Sequence, residues 1–228
     1  MRKRSKRYEE ASKKIDRSKL YPAREALGLL KSLPPPKFDE SVDVVVRLGI
    51  DPKKTDQLVR GAVSLPKGLG KSVRVVVFAE GEKADAAKKA GADEVGSEEL
   101  AKRILDGWTD FDIVIASPDM MKHVGKLGKV LGPQGKMPSP KSGTVTPEVG
   151  NAVREFKAGK VEFRTDAGGN VHAVVGKRSF SVDDLEQNLS AFLAHLSGMR
   201  PASVKGNFLR KVSVSTTMGP GTLIAYEG

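Results

Sequence analysis

The chain has 228 residues, no cysteine, 5% aromatic residues and a formal net charge of +11. That length suffices for one or two domains with substantial cores, and the lack of cysteine excludes disulfides and thiolate metal sites. The charge is consistent with a polyanionic partner or with a generic basic protein, and with so few rings any nucleic-acid surface must rely on charge, hydroxyls and backbone more than on stacking.

Residues 1–19 hold nine Lys+Arg against three Asp+Glu, and the first seven, MRKRSKR, read as a flexible basic arm. Tyr8 to Ile15 starts a helix. A second helix runs from Pro22 to about Leu33, with Ala26, Leu29, Leu30 and Leu33 as its apolar stripe. Pro34 to Pro36 stop it. A strand follows in which Val42, Val44, Val46 and Leu48 alternate with Ser41, Asp43, Val45 and Arg47. Leu65 to Gly70 reads as a linker.

After the linker the pattern changes. Val73 to Ala79 is a nearly continuous apolar strand. Helical stretches at 82–90 and 97–106 flank a short strand, Asp93 to Val95, and Asp112 to Ala116 is a third strand. Strands alternating with helices predict a parallel sheet covered on both faces. A helix at 147–157 ends before Gly159, a C-cap. Alternation returns from Lys160 to Thr165, and Asp166 to Asn170 turns the chain into Val171–Val175, predicting a hairpin. Ser181 opens a helix with the stripe Leu185, Leu189, Phe192, Leu193 and Leu196, which Gly198 can cap. In the last strand, Lys211 to Thr217, Val212 and Val214 point one way and Lys211, Ser213, Ser215 and Thr217 the other. Met218-Gly219-Pro220-Gly221 breaks it. Such a face suits phosphates, 2′-OH groups and nucleobases, and it also fits an ordinary solvated sheet.

The ends resemble each other and the middle does not. An inserted parallel α/β domain within a discontinuous α+β domain is the simplest architecture, with crossings near Gly68–Gly70 and Gly159. The expected domains are 1–67 with 159–228, and 68–158. Residues 1–67 carry 17 Lys+Arg against 9 Asp+Glu, 159–228 carry 8 against 6, and 68–158 carry 14 against 13. The positive charge is therefore concentrated in the terminal domain, which should bind the polyanion.

Enzyme chemistry finds little support. Gly70-Lys71-Ser72 lacks the first glycine of a phosphate loop and precedes its strand. No dinucleotide fingerprint follows Val73–Ala79. His123, His172 and His195 lack metal-ligand spacing, so no metal and no cofactor are expected. Asp39, Glu40 and Asp166 could supply a carboxylate pair for acid-base work, but the pattern favours solvated residues at strand ends. The stretch 125–144, rich in Gly, Pro and Lys and free of acid, is either a phosphate-holding loop or a long connection with solvated charges. An enzyme using the insert as its catalytic domain is the alternative to a binding protein. No apolar run spans a bilayer and no signal-peptide core follows the basic start, so a cytoplasmic protein with no membrane partner is expected.

Four stretches together resemble the large-subunit ribosomal protein L-one family, in its bacterial form. They are Lys37–Ser41; Leu48–Pro52 with Arg60-Gly61 and Leu65-Pro66; Leu131–Pro138 with Lys141–Thr144; and Thr216–Pro220. The resemblance implies an α/β protein of two domains. One is a discontinuous α+β RNA-binding domain, a split β-α-β with antiparallel sheet and helices; the other is an inserted Rossmann-like three-layer α/β/α domain. It implies a structural, ribosome-associated protein bound to the stalk region of large-subunit (23S) rRNA near the exit tRNA site. There it would assist release of deacylated tRNA, and it would repress its own operon through an mRNA site. A monomer is expected when free. The family's RNA-contacting positions map onto Lys37, Phe38, Ser41, Arg164, Thr165, Asp166, His172, Thr217, Met218 and Gly219. In that mechanism Ser, Thr and backbone groups read the minor-groove surface, Phe38 and Met218 pack on sugars or bases, and Lys37, Arg164 and the basic arm supply salt-dependent affinity.

Overall fold

The computed structural model describes residues 4–226. It separates into two compact units. One comprises the chain up to Gly70 and from Val161 on, the other Lys71–Lys160.

Helix α1 (Lys6–Lys13) begins two residues ahead of expectation, because the Ser5 hydroxyl accepts from the Tyr8 amide at 3.3 Å and caps it. Lys6 and Arg7 of the expected arm are therefore helical, and its residues 1–3 lie outside the described residues. Helix α2 (Ala23–Ser32) has Pro22 at its N-cap and buries Ala26, Leu27 and Leu30. Strand β1 (Ser41–Leu48) buries Val42, Val44, Val46 and Leu48, as its alternation requires, and β2 (Arg60–Ser64) follows.

The second unit runs β3 (Val75–Phe78), α3 (Glu82–Lys89), β4 (Glu94–Gly96), α4 (Glu98–Leu105), β5 (Ile113–Ala116), α5 (Met121–Lys126), α6 (Gly128–Gln134) and α7 (Val149–Ala158). Its sheet is parallel in the order β4-β3-β5. Central β3 has no polar side because both faces are covered. Val76 and Phe78 pack with Leu100, Ile104, Leu127 and Leu131. Val75 and Val77 pack with Ala87, Val153 and Phe156. Gly159 caps α7 in the left-handed conformation, at φ 112°.

The stretch 125–144 corrects the sequence reading, because much of it is helical. Val124, Leu127 and Leu131 recur at helical spacing and are fully buried, a period hidden by the surrounding glycines. Several of its amides are spent internally. Gly135 donates to Gly132, Lys136 to Leu131 and Thr144 to Ser139. Ser139 donates to the Thr144 hydroxyl at 2.9 Å. The amides named here are already used and do not form a phosphate-holding nest.

The first unit resumes with β6 (Lys160–Arg164), β7 (Asn170–Lys177), α8 (Val182–Gly198), β8 (Leu209–Thr216) and β9 (Thr222–Ile224). Four strands form an antiparallel sheet in the order β7-β1-β8-β9, and β2 pairs with β6. The expected hairpin of β6 and β7 therefore splits between two sheets, joined by the single bridge Thr165–Val171. Ser181 caps α8 as expected, but the helix runs through Gly198 and Met199 caps it. Helices α2 and α8 cover one face of the four-stranded sheet, burying Leu30, Val44, Val175, Leu189, Phe192 and Val214 in one core. The other face remains partly or fully exposed. Asn188 on α8 fastens residues 67 and 68 to this unit, accepting from the Lys67 amide at 3.0 Å and donating to the Gly68 carbonyl at 3.0 Å.

The mixed α/β class, with a four-stranded antiparallel and a three-stranded parallel sheet in separate units, agrees with the sequence reading. Among the described residues no helix is long and apolar enough to cross a membrane, and no His, Cys, Asp or Glu cluster could hold a metal ion.

Candidate nucleic-acid interface

Strand register sets a grid of side chains on the open face. Along β1 the outward residues are Ser41, Asp43, Val45 and Arg47. β7 sets Lys177, Val174, His172 and Asn170 beside them, and β8 sets Ser215, Ser213 and Lys211 beside the last three. Lys177 reaches this face only through a bulge. The register shifts between Val42 and Asp43, so Gly176 stands opposite Val42 and Val174 opposite Asp43. Gly176 fits tightly under α8, where a Cβ would stand 2.8 Å from Leu185 Cδ2. The displaced Lys177 ammonium donates to the Ser41 hydroxyl at 3.0 Å. Asp43 lies within the field of Lys177 and His172, but burial outweighs them and pushes its carboxyl up. Hydroxyls around one carboxylate suit ribose 2′-OH groups and base edges better than phosphates, which are left to the surrounding cations.

At the Ser41 end the chain leaving β8 is fastened down. The Thr217 amide donates to the Ser41 carbonyl at 3.1 Å, and the Ser41 amide to the Thr217 hydroxyl at 3.0 Å. The Met218 amide donates to Glu40 Oε1 at 2.9 Å, and the Gly219 amide to the Thr216 carbonyl at 3.1 Å. A Cβ on Gly219 would stand 2.3 Å from the Thr216 hydroxyl oxygen, so this close turn requires glycine. The backbone is thus held while the side chains of Met218, 52% exposed, and Phe38, 53% exposed, project into solvent.

Glu40 is the anchor of this rim. It is 1% exposed and takes Arg178 Nη1 at 2.8 Å. Arg178 Nη2 also donates to the carbonyls of Lys31, at 2.9 Å, and Leu33. The reading of Glu40 as a solvated residue is therefore wrong, since its carboxylate joins the rim to the end of α2 and to β7. Asp39 does not pair with it; Asp39 accepts from the Ser179 amide at 3.2 Å and hydroxyl at 2.8 Å.

The ten positions marked in the sequence fall into two groups. Lys37, Phe38, Ser41, Thr217, Met218 and Gly219 gather at this rim. Arg164, Thr165, Asp166 and His172 gather about the turn between β6 and β7. His172 lies opposite Val45, roughly 13 Å along β1 from Ser41 at about 3.3 Å per residue. Arg164 is exposed. Thr165 is engaged within the chain, its hydroxyl donating to the Val59 carbonyl at 2.9 Å and accepting the Val59 amide at 3.1 Å. Asp166 is engaged too. Its carboxylate accepts the Asn170 amide at 2.7 Å, the Gly168 amide at 2.8 Å and the Asn170 side chain at 3.1 Å, and meets His172 Nε2 at 3.2 Å. Lys177, Ser213 and Ser215 complete the surface and Glu40 anchors it from below; none was among the ten. Alternation alone marks the two serines.

The Asn170 amide leads the donors that hold the Asp166 carboxyl down at about 2, against an ordinary 3.8. A depressed carboxyl stabilises the fold fully above its unfolded value, and that stabilisation is lost as pH falls from about 3.8 towards about 2. Asp166→Ala should cost about 0.5–2 kcal/mol near neutrality, the range for losing a side chain that caps backbone amides. Denaturant titrations at several pH values should show the gap between variant and parent closing over that acidic window. A gap independent of pH would contradict the assignment.

Comparison with known proteins comes to one family. The model described as the ribosomal protein L1p/L10e family matches residues 29–220. A large ribosomal subunit protein uL1 from Kosmotoga olearia is 54% identical over 227 residues, covering 100% of this chain and 98% of that protein. The protein of the same name from Bordetella pertussis is 58% identical over 224 residues, covering 98% and 97%. That from Azoarcus sp. is 54% identical over 224 residues, with the same coverage.

Proposed function

The chain belongs to the ribosomal protein L1p/L10e family, and from that premise we propose that it is a structural protein of the large ribosomal subunit whose discontinuous unit binds the stalk region of 23S rRNA. The relatives bear the name of a ribosomal protein and not of an enzyme, and the alternative of a catalytic insert is set aside.

One observation supports this reading above the others. The rim holds Met218 by its backbone to a buried carboxylate and leaves its side chain half exposed on the same edge as the exposed Thr217. A side chain positioned in advance binds with less ordering cost. The open sheet face offers hydroxyls to ribose and base edges, and Lys37, Lys177 and Arg164 lie around it for phosphates. Shape and 2′-OH recognition then decide which RNA fits, and the cations set the salt dependence.

Two finer roles go with this reading. An mRNA segment of the chain's own operon that presents the same shape competes for the open face, so free protein represses its translation and ribosome-bound protein cannot. The inserted unit is left to meet deacylated tRNA at the exit site and assist its release. Met218→Ala tests the shared surface. It should leave the unfolding midpoint nearly unchanged and weaken binding of the stalk rRNA by about 1–3 kcal/mol, the range for losing a side chain that packs on a base. A fall in stability with affinity intact would place Met218 in the core and remove the site.

A further inference from the structure

The edge of the same sheet carries a groove that the open-face reading does not use. Leu20, Leu209, Val212, Leu223, Ile224 and Tyr226 line a cavity of about 110 Å³ whose rim holds Arg210 and Lys211. A more polar cavity of about 270 Å³ shares Leu209, Arg210 and Tyr226 and extends to Arg200 and Asn207. Register explains how the groove forms. Leu223 lies opposite Ser213 across β8 and β9, and Ser213 is on the open face, so Leu223 emerges on that side. Tyr21 closes the sheet edge, its amide donating to the Leu223 carbonyl at 3.0 Å and its carbonyl accepting the Ala225 amide at 2.8 Å. That places Leu20, 60% exposed, beside the groove.

Among the described residues the charge lining the groove is one-sided. Arg47 and Lys211 are exposed and stand directly opposite each other on β1 and β8. Like charges in that arrangement repel. The Arg210 guanidinium lies over Gly49, with Nε 3.0 Å from where a Cβ would be. None of these three cations has a carboxylate partner among the described residues. An anion between them would relieve the repulsion. The smaller cavity is well below the roughly 300–1,000 Å³ that encloses a whole small ligand, so a single ring enters it and the rest of its molecule stays outside.

We propose that this edge is a subsite for one unpaired nucleotide of single-stranded RNA. Its base lies in the groove against Tyr226 and Leu223, one flanking phosphate meets Arg210, and the other meets Lys211 and Arg47. An aromatic ring beside an apolar slot, with cations on one side, is how single strands are held without sequence readout. An acidic peptide would satisfy the cations and leave the slot unfilled. The groove shares Arg47 and Lys211 with the far end of the open face, while Arg210 and Tyr226 belong to the groove and Met218 to the opposite rim, so variants at these three separate the two.

The test is a titration of the full-length chain with a fluorescently labelled uridine hexamer and, separately, with a stalk rRNA fragment. Arg210→Ala and Tyr226→Ala should each weaken the hexamer by about fivefold or more, the lower end for losing a stacking or charged contact. Met218→Ala should leave the hexamer within about twofold. With the stalk fragment the order should reverse. Because Tyr226 also packs against the core, Tyr226→Leu serves as a second variant that keeps bulk and loses the ring, and it should weaken the hexamer as the alanine does. Equal binding by all variants, loss with Met218→Ala alone, or displacement of the hexamer by an oligoglutamate as readily as by RNA would overturn the assignment.

Discussion

Glu40→Ala is expected to destabilise the discontinuous unit by about 3–5 kcal/mol, the cost of leaving one member of a buried ion pair without its partner. Glu40 is 1% exposed and the Arg178 side chain 12%. With the carboxylate gone, Arg178 keeps the carbonyls of Lys31 and Leu33 but no negative charge, and the Met218 amide loses its acceptor. Binding to the stalk rRNA should therefore weaken further than in Met218→Ala, because Thr217 to Gly219 also lose their fixed position. Removing both charges in Glu40→Leu with Arg178→Met should cost less stability than either single change, since no charge is left buried. Circular dichroism must follow the transition, because Trp108, the chain's one tryptophan, lies in the other unit. A loss below about 1 kcal/mol in Glu40→Ala would show that the pair does not hold the rim.

The parts of this structure that local rules dictate were legible in the sequence. β1 alternates, and its Val42, Val44 and Val46 are buried. β3 does not alternate, and helices cover both its faces. Ser181 and Gly159 stand at helix ends as capping chemistry asks. What escaped depends on contacts between residues far apart in the chain. Nothing near Glu40 signals burial; its partner Arg178 is 138 residues away. Lys177 would face the core by strict alternation, and only the bulge turns it outward. Thr165 and Asp166 look like free polar groups until Val59 and Asn170 are seen to occupy them. The helices within 121–134 were hidden because glycine-rich composition outweighed the spacing of Val124, Leu127 and Leu131.

The second large effect concerns which unit binds RNA. Lys71–Lys160 carries 15 Lys+Arg against 13 Asp+Glu, and the rest of the chain 24 against 15. The gain in affinity from released counterions scales with the phosphates neutralised, so both affinity and salt dependence belong to the discontinuous unit. Its core draws on both of its chain segments, from Ala11 to Ile224, and on nothing between Val73 and Phe156. Removing Lys71–Lys160 and joining Gly70 to Val161 through a short glycine linker should leave a folded protein. It should bind the stalk rRNA within about tenfold of the full chain, roughly 1.4 kcal/mol. The isolated Lys71–Lys160 unit should fold and bind that RNA weakly. The deciding measurement is a titration of the stalk rRNA with the full chain and each unit across a salt series. The discontinuous unit should reproduce nearly the whole slope of log affinity against log salt; tight, steeply salt-dependent binding by Lys71–Lys160 alone would contradict the account.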